Sequence, residues 1–245
     1  MPGELFLLCA SRAVFQGKNE MPKLCVIPGD GIGREVVPAV VTILQAVVPE
    51  LEITLAEAGW DCFLKRGTSV PEATLEAITV CEAALFGAVS SPSRPVDGYR
   101  SAIITMRQAL DLYANIRPVR SWPHVSPRAD VDLILVRENS EGLYAGREWR
   151  DEEKGVAERI VTRNASRRIA EKALSIAHSA NRKRISIIHK ANVLPLSDGL
   201  FRDTVREVIG ADFVVDELLV DLAALKIVSE PQGFDVLVTT NMFGD

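Results

Sequence analysis

Short apolar runs alternate along the chain with stretches whose apolar residues recur every three or four positions. Leu24-Cys25-Val26-Ile27 predicts a strand, the segment Pro28-Gly29-Asp30-Gly31-Ile32-Gly33 a glycine turn, and Val36, Val37, Val40, Val41 and Leu44 a helix. Glu52 to Glu57 alternates as a second strand, with Ile53 and Leu55 facing one way. Pro71 to Val80 predicts a helix with proline in its first turn. Ala83 to Phe86 predicts a buried strand that opens into the loop Gly87-Ala88-Val89-Ser90-Ser91-Pro92-Ser93, and such loops at strand carboxyl ends are where α/β sheets place ligands. A helix carrying Arg107 is expected to stop at Asn115-Ile116-Arg117-Pro118, because the residue before a proline is driven out of the α region. Further on, strands are expected at Val131 to Val136, Ile185 to Ile188, Phe213 to Val215 and Phe234 to Thr239, with helices at Ala165 to Ser179 and Asp198 to Ile209. Strand and helix signals in turn place the chain in the α/β class.

Composition narrows this picture. With 245 residues, 47% of them apolar and 25% charged, the chain has the make-up of a soluble globular protein of one or two domains. The connection Val119 to Asp130, with Pro123 and Pro127, is expected to be a domain hinge, dividing 21–119 from 120–245, with 1–20 an extension outside the core. A net charge of -5 without any Lys/Arg block excludes nucleic acid as the partner. No apolar run approaches the roughly 20 residues of a membrane-spanning helix. Cys9, Cys25, Cys62 and Cys81 lack any Cys-x-x-Cys spacing and read as reduced thiols of a cytoplasmic protein.

Candidate chemistry lies in a few places. Arg107, Arg117 and Arg137 follow helix, loop and strand signals in turn, so they can converge from different elements on a multiply charged anion, which guanidinium groups hold in bidentate forks. Taken singly, each reads first as an ordinary surface charge, and it is the three in a shared context that point to a site. Gly29-x-Gly31-x-x carries Arg34 where a Rossmann fingerprint needs its third glycine, so that reading fails. His189-Lys190-Ala191-Asn192 follows an apolar strand, where a lysine marks either a site or a plain exit from the core.

The arginine segments, together with Arg137-Glu138-Asn139-Ser140-Glu141-Gly142-Leu143-Tyr144 and Lys190-Ala191-Asn192, resemble motifs of the metal-dependent β-decarboxylating dehydrogenases, the isocitrate, isopropylmalate, homoisocitrate and tartrate dehydrogenase family. The similarity runs from Lys23 to Asp245 and is nearest to the homoisocitrate type. It implies an isopropylmalate dehydrogenase-like two-domain α/β fold with a non-Rossmann cofactor site. In that fold 21–119 is the N-terminal part of the large domain and 120–245 the small domain, with dimer contacts and metal ligands. Family members continue past Asp245, so the C-terminal part of the large domain is expected to be missing and the chain by itself inactive.

The implied reaction is oxidative decarboxylation of a 2-hydroxy acid of homoisocitrate or isocitrate type, in lysine biosynthesis, with hydride transfer to NAD or alternatively NADP. Isopropylmalate is the alternative substrate, and a non-catalytic dimerisation or regulatory relative the alternative role. The resemblance assigns Lys190 as base and Tyr144 as assisting acid, and places Ser91, Arg107, Arg117, Arg137 and Asn192 on substrate. It puts Val89, Ser90, Ser91 and Asn192 on the cofactor, and Asp221 and Asp245 on Mg²⁺ or Mn²⁺, for which hard oxygen ligands are suited. The implied partners are a small hydroxy tricarboxylate or dicarboxylate and further copies of the chain, as a homodimer or higher homo-oligomer with shared active sites. Two positions depart from the pattern: Ile103 and Ile104 stand where homoisocitrate enzymes can carry a further arginine, and Leu222 where relatives usually have asparagine.

Overall fold

The computed structural model describes Phe6–Cys9 and residues 21–245 apart from Glu82. The chain forms two compact units, one ending at Leu112 and the other running from Tyr113 to Asp245. No helix among the described residues is long and apolar enough to cross a membrane.

The first unit contains β1 (Phe6–Cys9), β2 (Lys23–Ile27), α1 (Gly33–Val47), β3 (Glu52–Leu55), α2 (Trp60–Arg66), α3 (Glu72–Cys81), β4 (Ala83–Phe86) and α4 (Ala102–Ala109). Its sheet has the order β1-β4-β2-β3, with β2 parallel to both β3 and β4. Strand periodicity splits the core between two faces. Leu24 and Val26 pack with Leu85 beneath Val37 of α1, whereas Cys25, Ile27, Ala84 and Phe86 pack against Ile78 of α3 and Met106 of α4. β1 pairs antiparallel with β4, Phe6 opposite Phe86. Part of the stretch expected to stand outside the core therefore joins the sheet: its apolar run satisfies the backbone groups along one side of β4. The rest of 1–20 lies outside the described residues.

In the second unit, β5 (Ala114–Arg120), β6 (Asp132–Glu138), β7 (Glu148–Arg150), β8 (Gly155–Ala157), α5 (Arg163–Ser179), β9 (Arg184–His189), α6 (Ser197–Ile209), β10 (Val214–Leu219), α7 (Val220–Ser229) and β11 (Val236–Thr239) follow in order. Five strands form one sheet, β10-β9-β11-β6-β5, parallel except for β5. Val136, Ile185, Ile187, Val236 and Val238 face α5 and α6, meeting Ile169, Ala173, Phe201 and Val205. Ile188 and Leu237 face the other way, toward Ala223 of α7. Burial on both faces explains why these strands read as continuous apolar runs.

Several expected boundaries move. The units divide at Leu112, ahead of the proline-containing connection, which instead joins β5 to β6. Asn115-Ile116-Arg117-Pro118 is not a loop at a helix end but lies within strand β5. The extended backbone that proline imposes suits a strand, and Pro118 is tolerated because β5 is at the sheet edge. β10 continues to Leu219 through Asp216 and Glu217, polar residues that hid it in the sequence; Asp216 accepts a hydrogen bond from the Ser186 hydroxyl at 2.7 Å.

Asp30 ties the first unit together at the strand carboxyl ends. Only 3% exposed, its carboxylate accepts from the backbone N–H groups of Trp60 (2.7 Å), Asp61 (3.0 Å) and Ser90 (2.9 Å). It thereby caps α2 from a distance and fastens the loop after β4. Gly29, at φ +75°, lets that loop approach: a Cβ there would lie 2.2 Å from the Ala88 carbonyl oxygen. Replacing Asp30 with alanine takes the acceptor from three part-buried backbone donors at once, and we expect a loss of about 1–3 kcal/mol of stability. Amide hydrogen exchange at Trp60, Asp61 and Ser90 should accelerate together in the Asp30→Ala protein; unchanged protection at all three would remove Asp30 from this role.

Candidate active site

In the first unit, the loop after β4 carries Val89, half-buried against the core, then Ser90, tethered through its N–H, and Ser91, whose side chain is exposed. Arg107 occupies the last turn of α4 and is half-buried. Of the two isoleucines before it, Ile103 packs into the core. Ile104, three residues ahead of Arg107 and so on its side of the helix, is 37% exposed.

The second unit assembles a charged cluster where β6 and β11 end, beside the antiparallel β5. Arg137, near the end of β6, is only 2% exposed despite its charge. Its Nη1 donates to Asp245 Oδ1 at 2.7 Å, and its Nε and Nη2 donate to Asn241 Oδ1 at 3.2 and 2.7 Å. Arg117, on the antiparallel neighbour β5, donates from Nη1 to the Gly244 carbonyl at 3.2 Å and places Nη2 3.7 Å from Asp245 Oδ1. Tyr144 stands on a short 3-10 turn after β6, and its hydroxyl donates to Asp245 Oδ2 at 3.0 Å. The Arg137 guanidinium also lies 5.7 Å from the Tyr144 ring centre, within cation–π range. Two arginines and a phenol thus grip one carboxylate, that of Asp245.

Lys190 begins the turn that follows β9. Its backbone N–H donates to Asp198 Oδ2 at 2.6 Å. Asp198 is fully buried and is paired through its other oxygen with Arg159, whose Nη2 donates to Thr240 Oγ1 at 3.0 Å. This buried ion pair couples the turn holding Lys190 to the segment after β11 that holds Asn241 and Asp245. The Lys190 ammonium hydrogen-bonds to Asp221 in the first turn of α7. Asn192, two residues past Lys190, is exposed. His189, just before it, is buried, which pushes its imidazole pKa below the usual value against the opposing pull of Glu217; Nδ1 accepts from the Ala191 N–H at 3.1 Å.

Sequence reading missed Asp30, Arg159, Asp198 and Asn241, all polar positions whose work is to hold others. Only Asp30 carried a local signal, its place between glycines. Among the described residues, no three His, Cys, Asp or Glu side chains come together to hold a metal ion. Asp221 and Asp245 are each engaged by a cationic side chain instead.

Both aspartates titrate below the usual carboxylate value. For Asp245, burial pushes upward but is outweighed by the Tyr144 hydroxyl and by Arg137 and Arg117. For Asp221, the hydrogen bond from Lys190 is the main cause. A carboxylate lowered in the folded state contributes stability above its unfolded pKa and loses that contribution as pH falls through the folded value. In a carbon-13 NMR titration, Lys190→Met should raise the Asp221 pKa toward that of an ordinary aspartate; an unmoved midpoint would show that the pair does not persist in solution.

Residues 23–245 match the family described as isocitrate/isopropylmalate dehydrogenase. The isocitrate/homoisocitrate dehydrogenase of Thermus thermophilus is 50% identical over 226 residues, covering 91% of this chain and 67% of that protein. The homoisocitrate dehydrogenase of Methanocaldococcus jannaschii is 43% identical over 238 residues, covering 92% of this chain and 68% of its own length. Among solved structures, isocitrate dehydrogenase from Methylococcus capsulatus aligns at a TM-score of 0.84 and 40% identity, over 91% of this chain and 68% of that one. The chain spans about two thirds of the length of these relatives. The match over almost the whole described chain, its α/β fold and its half-identical relative place this protein in the isocitrate/isopropylmalate dehydrogenase family.

Proposed function

We propose that this chain supplies substrate-binding and catalytic residues of an enzyme that oxidises and decarboxylates a 2-hydroxy acid of homoisocitrate or isocitrate type, passing the hydride to NAD(P). The observation that carries this reading is the convergence of Arg117, Arg137 and Tyr144 on a single carboxylate. In the proposed complex a substrate carboxylate takes the place that Asp245 Oδ1 holds beside Arg137. Arg137 is nearly buried, so its charge works in a medium that screens it less than water does. By the family resemblance Arg107 and Ser91 are assigned to substrate, and Val89, Ser90 and Asn192 to the nicotinamide.

NAD(P), when bound, supplies the acceptor for the hydride leaving the hydroxyl-bearing carbon. Lys190 takes the hydroxyl proton as that hydride leaves. The Lys190 side chain is hydrogen-bonded to Asp221, so it has to leave that contact before it can reach a substrate hydroxyl. Loss of the neighbouring carboxylate as carbon dioxide then leaves an enolate, which Tyr144 helps to protonate at carbon.

Asp221 and Asp245 offer the hard oxygens that Mg²⁺ or Mn²⁺ prefers, but each is held by a cation in this chain. We assign Asp221 to a site shared with a second copy. Its side chain is 65% exposed, and on the same helix Leu225 and Val228 are 64% and 72% exposed, an apolar face of the kind that subunit pairing buries. Ile103 and Ile104 stand where homoisocitrate enzymes can carry a further arginine, which keeps isopropylmalate among the candidates.

Isocitrate, homoisocitrate and isopropylmalate should be compared for NAD(P)H production with Mn²⁺ present, and turnover of none of them would end this assignment. On the acid that reacts, Lys190→Met should lower kcat by about 1,000-fold or more, the upper range for loss of a general base. Binding of that acid should survive the substitution; wild-type-like turnover would take Lys190 out of the mechanism.

A further inference from the structure

A guanidinium carries five N–H donors in one rigid plane, and burying it requires acceptors for those that water can no longer reach. Arg137 sends two of these, from Nε and Nη2, to the same oxygen, Asn241 Oδ1, at 3.2 and 2.7 Å. The other end of that amide donates from Nδ2 to the Glu141 carbonyl at 2.8 Å. The amide is thereby locked: turned over, it would set its NH₂ against the guanidinium and its oxygen against a carbonyl. Asn241 is itself 1% exposed.

The arginine stem is confined as well. A Cβ added at Gly244 would fall 2.7 Å from Arg137 Cγ and 2.8 Å from its Cβ, so only a bare backbone fits beside the chain there. With the stem confined and one edge of the guanidinium held, Nη1 points at the carboxylate that Tyr144 also donates to. We infer that Asn241 is a positioning residue for Arg137, orienting its guanidinium so that Nη1 is presented to the substrate carboxylate.

This rests on Arg137 being a substrate ligand, as proposed above. No other small side chain does the same work. Aspartate accepts from Arg137 but repels the Glu141 carbonyl, serine is too short to bridge both, and leucine leaves two buried donors unpaired.

A double-mutant cycle on the full chain tests it, with calorimetric affinity for isocitrate, homoisocitrate and isopropylmalate as the readout. Asn241→Ala should weaken binding by about tenfold when residue 137 is arginine, and by no more than about twofold in the Arg137→Lys background, because a residue acting through another loses its effect when that other is changed. Equal losses in both backgrounds would overturn the inference while leaving the substrate reading intact. Absence of binding by the wild type overturns the reading of Arg137 and the inference with it. Should Asn241→Ala fail to fold, Asn241→Ser, whose side chain is too short to bridge Arg137 and Glu141, carries the same cycle with the same two outcomes.

Discussion

A charge taken out of water must find partners within the protein, and this constraint shapes the second unit. Arg137 is 2% exposed and Asp198 fully buried, and either one left alone would cost several kcal/mol. Each is therefore surrounded by groups whose positions are thereby restricted: Asn241, Asp245 and the Gly244 backbone around Arg137, and Arg159 and the Lys190 amide around Asp198. The site is rigid where its charges are buried. At Asp221 and Tyr144, which are exposed, it is open to ligands.

The sheet explains why these groups meet. Parallel strands β6, β9 and β11 end on the same side, so the residues that follow them, from Glu138 to Tyr144, at Lys190 and from Thr240 to Asp245, share one rim. Antiparallel β5 brings Arg117 opposite Leu135 and hence close to Arg137. Apolar side chains facing α5, α6 and α7 hold the strands in register, and the polar rim inherits that precision. In the first unit the same logic appears with the sign reversed: a buried carboxylate, Asp30, gathers backbone donors from α2 and from the loop after β4.

Asp245 has two faces in this arrangement. It occupies the grip of Arg117, Arg137 and Tyr144, the position assigned to a substrate carboxylate, and is also one of the oxygen donors assigned to a divalent cation. Lys190 and Asp221 are likewise engaged with each other in an ion pair.

Much of this was legible from residue order alone. The apolar runs at Leu24 to Ile27, Ala83 to Phe86, Ile185 to Ile188 and Phe234 to Thr239 marked buried strands because a strand covered on both faces has no polar alternation to blur it. The motif residues at Arg107, Arg117, Arg137, Tyr144 and Lys190 identified the family for the same local reason: their neighbours in sequence travel with them. Pro118 misled, since a proline that ends a helix and one that lies in an edge strand impose the same backbone and only the pairing with β6 tells them apart. Helix α2 was invisible because its cap, Asp30, is thirty residues away. Composition and local pattern thus determined the α/β class, the strands and the residue types available for chemistry. Tertiary structure alone decided which of those residues meet, because Arg137 and Asn241 are 104 positions apart and only burial of both makes either one necessary to the other.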